Sequence, residues 1–175
     1  FGIVYGITPW GLARRLGPGV APPDQDPADY AKQIIDNYKR RYPKIDAFLD
    51  RCVEQAQTKG YVETICKRRR LIPEINSRRG NVMQLGRRMA INTVVQGSAA
   101  DLIKTAMVQL HRRIRDEGRA MKMLLQIHDE LVVEAPESQA DEEAAVLVET
   151  MTGAMDLSVP LKVELARGGN WYDAK

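Results

Sequence analysis

The sequence predicts an α+β protein, in which helices dominate and short antiparallel strands form hairpins. Apolar residues recur at intervals of three or four over several stretches, the longest of them 81–116, as on one face of a helix. Two other stretches, 61–72 and 121–135, have strand composition on both sides of a short polar turn. With 175 residues, 44% of them hydrophobic and 28% charged, the chain can bury a core and does not have the composition of a disordered polymer.

The first 60 residues predict helices whose bounds are set by proline and glycine. Proline fits the first turn of a helix, and glycine adopts the left-handed conformation that often ends one. A loop with four prolines, 17–27, interrupts the helices. The expected segments are the last turn of a helix at 1–6, a helix capped by Thr8 from Pro9 to Leu16, and an antiparallel pair of helices at 28–41 and 44–59.

A hairpin with a positively charged tip is expected next, from strands at 61–66 and 69–72. The basic run 67–70 lies between and across these strands. Arg68, Arg69 and Arg70 are therefore candidates for contacts to the phosphates of a nucleic acid. A solvated charged face is the alternative, because most charge runs have no other role.

The longest helix is predicted at 81–116, and Gly97 lies inside it. A glycine there costs about 1 kcal/mol relative to alanine, so either a bend or a close backbone approach is expected at this position. Arg88, Asn92 and Gln96 are spaced by four residues and share one face. Such donors suit the acceptors of a DNA minor groove, which vary little between base pairs. A solvated polar stripe is the alternative.

The segment 121–136 contains the strongest chemical signal, because His128, Asp129 and Glu130 join two apolar strands. An acidic pair at such a junction is costly unless something compensates its charge, and a divalent metal would do so. A solvated Asp-Glu pair at a turn is the alternative. A helix at about 139–151 and a last strand at 161–165 are expected to follow.

Charge and cysteine content narrow the functional classes. The formal net charge of +3 is only mildly basic, but much of the basic charge lies between residues 67 and 115. Cys52 and Cys66 make neither a disulfide framework nor a metal cluster, which favours a reducing, intracellular setting. No apolar run approaches the ~20 residues of a membrane span.

Four blocks of the sequence resemble the C-terminal fingers and palm of family A DNA polymerases. They are FGIVYG at the start, RRMAINTVVQGSAADLIKTAM at 87–107, LLQIHDELVVEAP at 124–136 and GGNWYDAK at the end. The match is collinear over nearly the whole chain. It implies an α+β fold in which helical fingers elements pack with a partial antiparallel palm sheet, with the fingers side and the basic hairpin at 1–80 and the palm at 81–175.

The resemblance also implies roles for individual residues. Asp129 would bind catalytic Mg²⁺, Glu130 would support the metal site, and His128 would lie near the primer terminus. Phe1 and Tyr5 would face the incoming nucleotide and the templating base, although their spacing alone is typical of core packing. Arg88, Asn92 and Gln96 would contact the duplex near its growing end.

The implied activity is template-directed DNA synthesis in replication and repair, by transfer of a nucleotide from dNTP to the 3′-hydroxyl of a primer. Two Mg²⁺ ions would serve the intact enzyme, and Mn²⁺ could substitute. The expected partners are primer-template DNA and dNTP, in the bacterial cytoplasm at the nucleoid, with no membrane. The intact enzyme is expected to be a monomer.

The chain itself is expected to be a C-terminal part that is inactive alone. The family's other metal-binding aspartate, and the arginine and lysine that grip the triphosphate, would lie before Phe1. Unpaired palm strands would favour self-association of the fragment. The loop at 17–27 is also several residues longer than is usual in the family.

Two other functions share part of this pattern. A single-subunit RNA polymerase of the phage type has a similar palm and His-Asp turn, although QGSAADLIK at 96–104 and Glu130 favour the DNA enzyme. A nucleic-acid-binding module descended from a polymerase would keep the basic surfaces without catalysis. Incorporation of ribonucleotides distinguishes the first, and the sequence upstream of Phe1 distinguishes the second.

Overall fold

The computed structural model describes residues 2–174 and confirms the α+β class. The helices are α1 (Pro9–Leu16), α2 (Pro27–Arg41), α3 (Pro43–Lys59), α4 (Gly80–Asp116) and α5 (Ala140–Thr152). The strands are β1 (Tyr61–Glu63), β2 (Arg69–Leu71), β3 (Lys122–Ile127) and β4 (Glu130–Glu134). Short 3₁₀ helices cover Pro73–Asn76 and Glu137–Gln139.

The helix bounds follow the predicted capping residues. The Thr8 hydroxyl accepts a hydrogen bond from the Gly11 N–H at 3.1 Å, with Pro9 at the first helical position of α1. The Asp26 carboxylate caps α2 in the same way. Gly60 ends α3 in the left-handed conformation, with φ of 76°. These local signals account for the agreement between the predicted and observed helices.

The turn before α1 has the geometry that closes a helix. Gly6 has a φ of 75°, its N–H donates to the Ile3 carbonyl, and the Ile7 N–H donates to the Gly2 carbonyl at 2.9 Å. These 5→2 and 6→1 hydrogen bonds are the Schellman arrangement of helix C-termini. The predicted helical turn is therefore confirmed for residues 2–6.

The chain forms two compact units, an N-terminal unit up to Gly97 and a C-terminal unit from Ser98. Their boundary falls inside α4. The predicted division at residue 80, into a fingers side and a palm side, is a division by role and stays a prediction.

The core of the N-terminal unit is built by α3, the β1–β2 hairpin, the first 3₁₀ helix and the first part of α4. Helices α1 and α2 pack against each other, and α2 also packs on α3. Strands β1 and β2 are antiparallel, with Val62 opposite Arg70. The buried side chains of this core are Cys52, Val53, Ala56, Val62, Ile72, Ile75, Ala90 and Ile91.

The C-terminal unit packs α5 and the β3–β4 hairpin around the last part of α4. Its buried residues are Leu110, Met121, Val146 and Leu147. Strands β3 and β4 are antiparallel, and the register shifts between Met123 and Leu125. This irregularity leaves Leu124 without a Cα partner, as in a β-bulge.

The predicted strand at 161–165 is wrong. The strand pairs among residues 2–174 are β1 with β2 and β3 with β4, and the segment joins neither. Burial still alternates, since Leu161 and Val163 are half-buried while Lys162 and Glu164 are exposed. Alternation fixes only the side-chain period, whereas a strand also needs a neighbour for its N–H and C=O groups.

Helix α4 comes very close to the first 3₁₀ helix at Gly86. A Cβ atom at this position would lie 2.6 Å from the Ile75 backbone nitrogen and 2.8 Å from the Glu74 carbonyl carbon. Backbone atoms cannot rotate away as a side chain can. Only glycine therefore allows the two segments to pack at this distance.

We expect Gly86→Ala to lower the free energy of unfolding by about 1–3 kcal/mol, as overpacking does in a well-packed core. The matched control is Gly80→Ala, at the start of the same helix, where an added Cβ meets nothing within 4 Å. That variant should be neutral or more stable by up to about 1 kcal/mol. Denaturant unfolding of both variants measures the difference, and equal stabilities would contradict the packing at Gly86.

Candidate functional site

The β1–β2 hairpin separates its three arginines onto two faces, because side chains alternate along a strand. One face looks into the core of the N-terminal unit and the other is exposed to solvent. Arg69 lies on the exposed face. The inward face carries Val62, Thr64 and Ile72, all buried, together with Arg68 and Arg70 at its margin.

Arg69 interacts with two residues on its own face of the hairpin. Its Nε donates to the Glu63 carboxylate at 3.0 Å, and its guanidinium carbon lies 4.7 Å from the centre of the Tyr61 ring. The hydrogen bond to Glu63, followed by the field of Tyr61, raises the pKa of the Arg69 guanidinium. The charge of Arg69 is therefore already paired with a carboxylate.

Arg68 and Arg70 instead reach helix α4. The Arg68 guanidinium donates to the Gly97 carbonyl at 3.1 Å, and the Arg70 guanidinium donates to the Thr93 hydroxyl at 3.2 Å. The Thr93 hydroxyl is uncharged, so its bond positions the Arg70 guanidinium without cancelling the charge of that group. Thr93 and Gly97 are one helical turn apart on α4.

The predicted polar stripe of α4 follows the same turns. Arg88 and Gln96 are exposed, whereas Asn92 is half-buried and its Oδ1 has no hydrogen-bond partner among the described residues. Asn92 and Gln96 directly precede Thr93 and Gly97. The structure therefore brings Arg68 and Arg70 to the turns of α4 that carry Asn92 and Gln96, two groups that the sequence predicts separately.

The β3–β4 hairpin has the predicted turn, in which His128 and Asp129 connect Ile127 to its partner Glu130. His128 has a φ of 52°, a conformation that non-glycine side chains rarely adopt. Its backbone carbonyl accepts a hydrogen bond from the Gln126 side-chain amide at 2.5 Å. The turn is thus held by a side chain from β3, and Gln126 was not singled out from the sequence.

His128, Asp129 and Glu130 are all exposed. Neither the Asp129 nor the Glu130 carboxylate pairs with a cation within residues 2–174. Carboxylate oxygens that are accessible and uncommitted are the donors that hard divalent cations prefer. In the described part of the chain, however, three or more His, Cys, Asp or Glu side chains do not converge on one point. The pair fits part of a metal coordination sphere.

The structure describes one of the two aromatic residues that are predicted to face a nucleotide. Tyr5 is half-buried and packs against the core of the N-terminal unit. Phe1 lies outside the described residues. Their role toward a nucleotide stays a prediction.

Thr64 and Thr93 were also not singled out from the sequence. Both threonines are buried. The Thr64 hydroxyl accepts a hydrogen bond from the Arg68 backbone N–H, and the Thr93 hydroxyl accepts one from the Arg70 guanidinium. Strand alternation puts Thr64 on the same face as Val62, which was an available signal. Nothing in the sequence alone pairs Thr93 with Arg70.

Among residues 2–174, no helix has the length and apolar character needed to cross a membrane.

Comparison with known proteins gives a consistent match. The family model described as DNA polymerase family A matches residues 1–173. DNA polymerase I of Streptococcus pneumoniae (serotype 4) is 45% identical over all of this chain, and that of Bacillus caldotenax is 42% identical. The chain spans 19% of the length of each of these relatives.

A solved structure shows the same fold. The POL domain of Pol1 from M. smegmatis, in complex with a DNA primer-template and dNTP, superposes with a TM-score of 0.89 at 36% sequence identity. The superposition covers 99% of this chain and 29% of that chain. The α+β arrangement predicted from the sequence therefore has a close counterpart among solved structures.

The positive φ of His128 predicts an unusual order of stabilities at the turn. We expect His128→Gly to be more stable than His128→Ala by about 1 kcal/mol, because the left-handed conformation costs a residue with a Cβ about that much. At Glu134, an exposed residue of β4 with negative φ, the order should reverse. Denaturant unfolding of the four variants tests this, and a more stable alanine at position 128 would contradict the turn geometry.

Proposed function

Because this chain belongs to DNA polymerase family A, we propose that it supplies part of the fingers and palm of a template-directed DNA polymerase. The full-length protein would transfer a nucleotide from dNTP to a primer 3′-hydroxyl by a two-metal mechanism in DNA replication and repair. The observation that carries the proposal is the match to the family over 1–173, with Asp129 and Glu130 at an exposed hairpin turn. The activity is proposed for the full-length protein, since the chain spans 19% of its relatives.

Asp129 is the proposed metal ligand, with Glu130 beside it in support. Mg²⁺, or Mn²⁺ in its place, would lower the charge on the phosphates and favour deprotonation of the primer hydroxyl when bound. The protein's part is to present the carboxylates on a turn that two strands and the Gln126 side chain hold in place. His128 would lie beside the primer terminus. Asp129 and Glu130 would thus supply part of the metal site of the full-length protein.

Arg88, Asn92 and Gln96 are the proposed contacts to the minor groove of the primer-template duplex. A polymerase must hold every base pair without reading it, and purine N3 and pyrimidine O2 offer nearly the same acceptors in every sequence. The exposed side chains of Arg88 and Gln96 on one face of α4 support this role. In Asn92 the side-chain NH₂ group would be the donor to these acceptors, because its buried Oδ1 can only accept.

The basic hairpin supplies the proposed phosphate contacts, and its three arginines differ. Arg70 donates to a hydroxyl and Arg68 to a carbonyl of α4, whereas Arg69 forms an ion pair with Glu63. Phosphate binding depends on charge that is able to replace counterions. Arg70 is therefore the strongest candidate, with Arg68 beside it on the same flank of the helix.

The remaining partners follow from the same proposal. Phe1 and Tyr5 would face the incoming nucleotide and the templating base. The full-length enzyme would act as a monomer in the bacterial cytoplasm, on DNA of the nucleoid. Free cysteines at positions 52 and 66 are consistent with a reducing compartment.

The role of Asp129 gives a direct test in the full-length polymerase. Asp129→Ala should lower the rate of single-nucleotide addition by orders of magnitude while leaving duplex affinity nearly unchanged, because a metal ligand acts on the chemical step. Glu134→Ala, at the far end of the same hairpin and also exposed, should keep the wild-type rate. An Asp129→Ala enzyme that extends primers within about tenfold of the wild type would refute the assignment.

The difference between the arginines predicts a difference in salt dependence. Arg70→Gln should reduce the slope of log K against log salt concentration for duplex binding by about 0.9, as expected when one phosphate is no longer neutralised. Arg69→Gln should change the slope little, because Glu63 already pairs with that charge. Fluorescence anisotropy titrations at several salt concentrations measure both slopes. An equal change of slope in both variants would mean that pairing within the hairpin does not matter for binding.

A further inference from the structure

Helix α4 comes very close to the β1–β2 hairpin at Gly97. A Cβ atom at this position would lie 2.7 Å from Cγ2 of Thr64, a distance that real Cβ atoms essentially never show. Thr64 is 4% exposed and β-branched, so its methyl group has little freedom to move. The packing of the hairpin on α4 therefore depends on the absence of a Cβ atom at Gly97.

Thr64 also closes the connection between the two strands. Its N–H donates to the Arg68 carbonyl at 3.0 Å, its carbonyl accepts from the Lys67 N–H at 2.9 Å, and its hydroxyl accepts from the Arg68 N–H at 3.2 Å. Any displacement of Thr64 is passed to Arg68 through these bonds. Arg68 in turn donates to the Gly97 carbonyl.

From these contacts we propose that Gly97 is a positioning residue, which seats the hairpin so that Arg68 and Arg70 form one polyanion-binding surface with Asn92 and Gln96. The ligand class is the backbone and minor groove of a nucleic-acid duplex, so the inference rests on the proposed function. In this proposal Gly97 acts through the hairpin. It sets where two guanidinium groups lie relative to the polar stripe of α4.

The geometry explains why even one methyl group matters at this position. The bonds from Arg68 to Gly97 and from Arg70 to Thr93 are 3.1 and 3.2 Å long, toward the long end of the range for N–H···O bonds. A hairpin pushed outward to accommodate a Cβ would stretch them further. Both guanidinium groups would then leave the flank of α4, and they would no longer lie beside the polar stripe.

The test is a double-mutant cycle in the full-length polymerase. Gly97→Ala introduces the clash, Thr64→Ser removes only the methyl group that Cβ would meet, and the hydroxyl that accepts from Arg68 remains. Gly86→Ala is the matched control, because its Cβ would meet the Ile75 backbone and Thr64→Ser cannot relieve that contact. Thr64→Val keeps the shape of the side chain and removes the hydroxyl, so it tests the same turn if Gly97→Ala does not fold. The measurements are the duplex dissociation constant, its salt dependence, kcat at saturating duplex and the melting temperature.

We expect Gly97→Ala to raise the dissociation constant about tenfold and to reduce the salt slope by about 0.9, since the phosphate that Arg70 neutralises would lose its partner. The value of kcat at saturating duplex should change little. Thr64→Ser alone should bind as the wild type does, and the double variant should regain most of the affinity and slope. Thr64→Val should move both quantities in the direction of Gly97→Ala.

A contact that is only structural gives a different result. In that case Gly97→Ala lowers the melting temperature while the folded enzyme keeps the wild-type dissociation constant and slope, and the proposal is overturned. The proposal is also overturned if Thr64→Ser fails to rescue Gly97→Ala, or if it rescues Gly86→Ala equally well. If the wild-type enzyme does not bind the duplex, the proposed function itself is refuted. This outcome is distinct from failure of the Gly97 proposal, because it is seen in the wild type without any variant.

Discussion

The packing of the N-terminal unit depends on how closely other segments approach helix α4 at two glycines. At Gly86 the first 3₁₀ helix brings its backbone within 2.6 Å of where a Cβ would be, and at Gly97 the Thr64 methyl group lies at 2.7 Å. Each glycine costs helix stability, by about 1 kcal/mol relative to alanine. The close approach offsets this cost, because it buries Val62 and Thr64 although each strand of the hairpin has only three residues.

The same approach determines how the charges of the hairpin are presented. Strand alternation sends Arg69 to the solvent face, where Glu63 and Tyr61 hold it, and sends its two neighbours toward α4. A row of three arginines thus becomes one ion pair on the solvent face and two guanidinium groups that donate to α4. In the C-terminal unit the charge has the opposite sign, since the β3–β4 turn presents Asp129 and Glu130 without a cationic partner in the described residues. One unit offers guanidinium groups and the other exposed carboxylates, as the proposed binding of a duplex and of a metal would respectively require.

Much of this fold was predictable because its signals are local. Thr8, Pro9 and Gly60 set helix bounds through their own backbone and side-chain chemistry, and a short polar junction at 128–130 between apolar runs predicted the β3–β4 hairpin. The segment 161–165 was wrongly predicted as a strand because alternation cannot supply a pairing partner. The bonds of Arg68 and Arg70 to α4 were missed because they join residues 29 and 23 positions apart. For the site, the residues alone were compatible with Asp129 as a metal ligand and with Asp129 as a solvated turn residue. The family resemblance favoured the metal ligand.

Primer extension by the full-length protein, with deoxyribonucleotides and ribonucleotides supplied in parallel on the same primer-template, tests the central claim most directly. The assignment to a DNA-synthesising member of family A predicts addition of the templated deoxyribonucleotide and much slower addition of the matching ribonucleotide. Equal use of both would point to the single-subunit RNA polymerase alternative. An intact, duplex-binding protein that added neither with Mg²⁺ or Mn²⁺ would contradict a catalytic role for the Asp129–Glu130 turn.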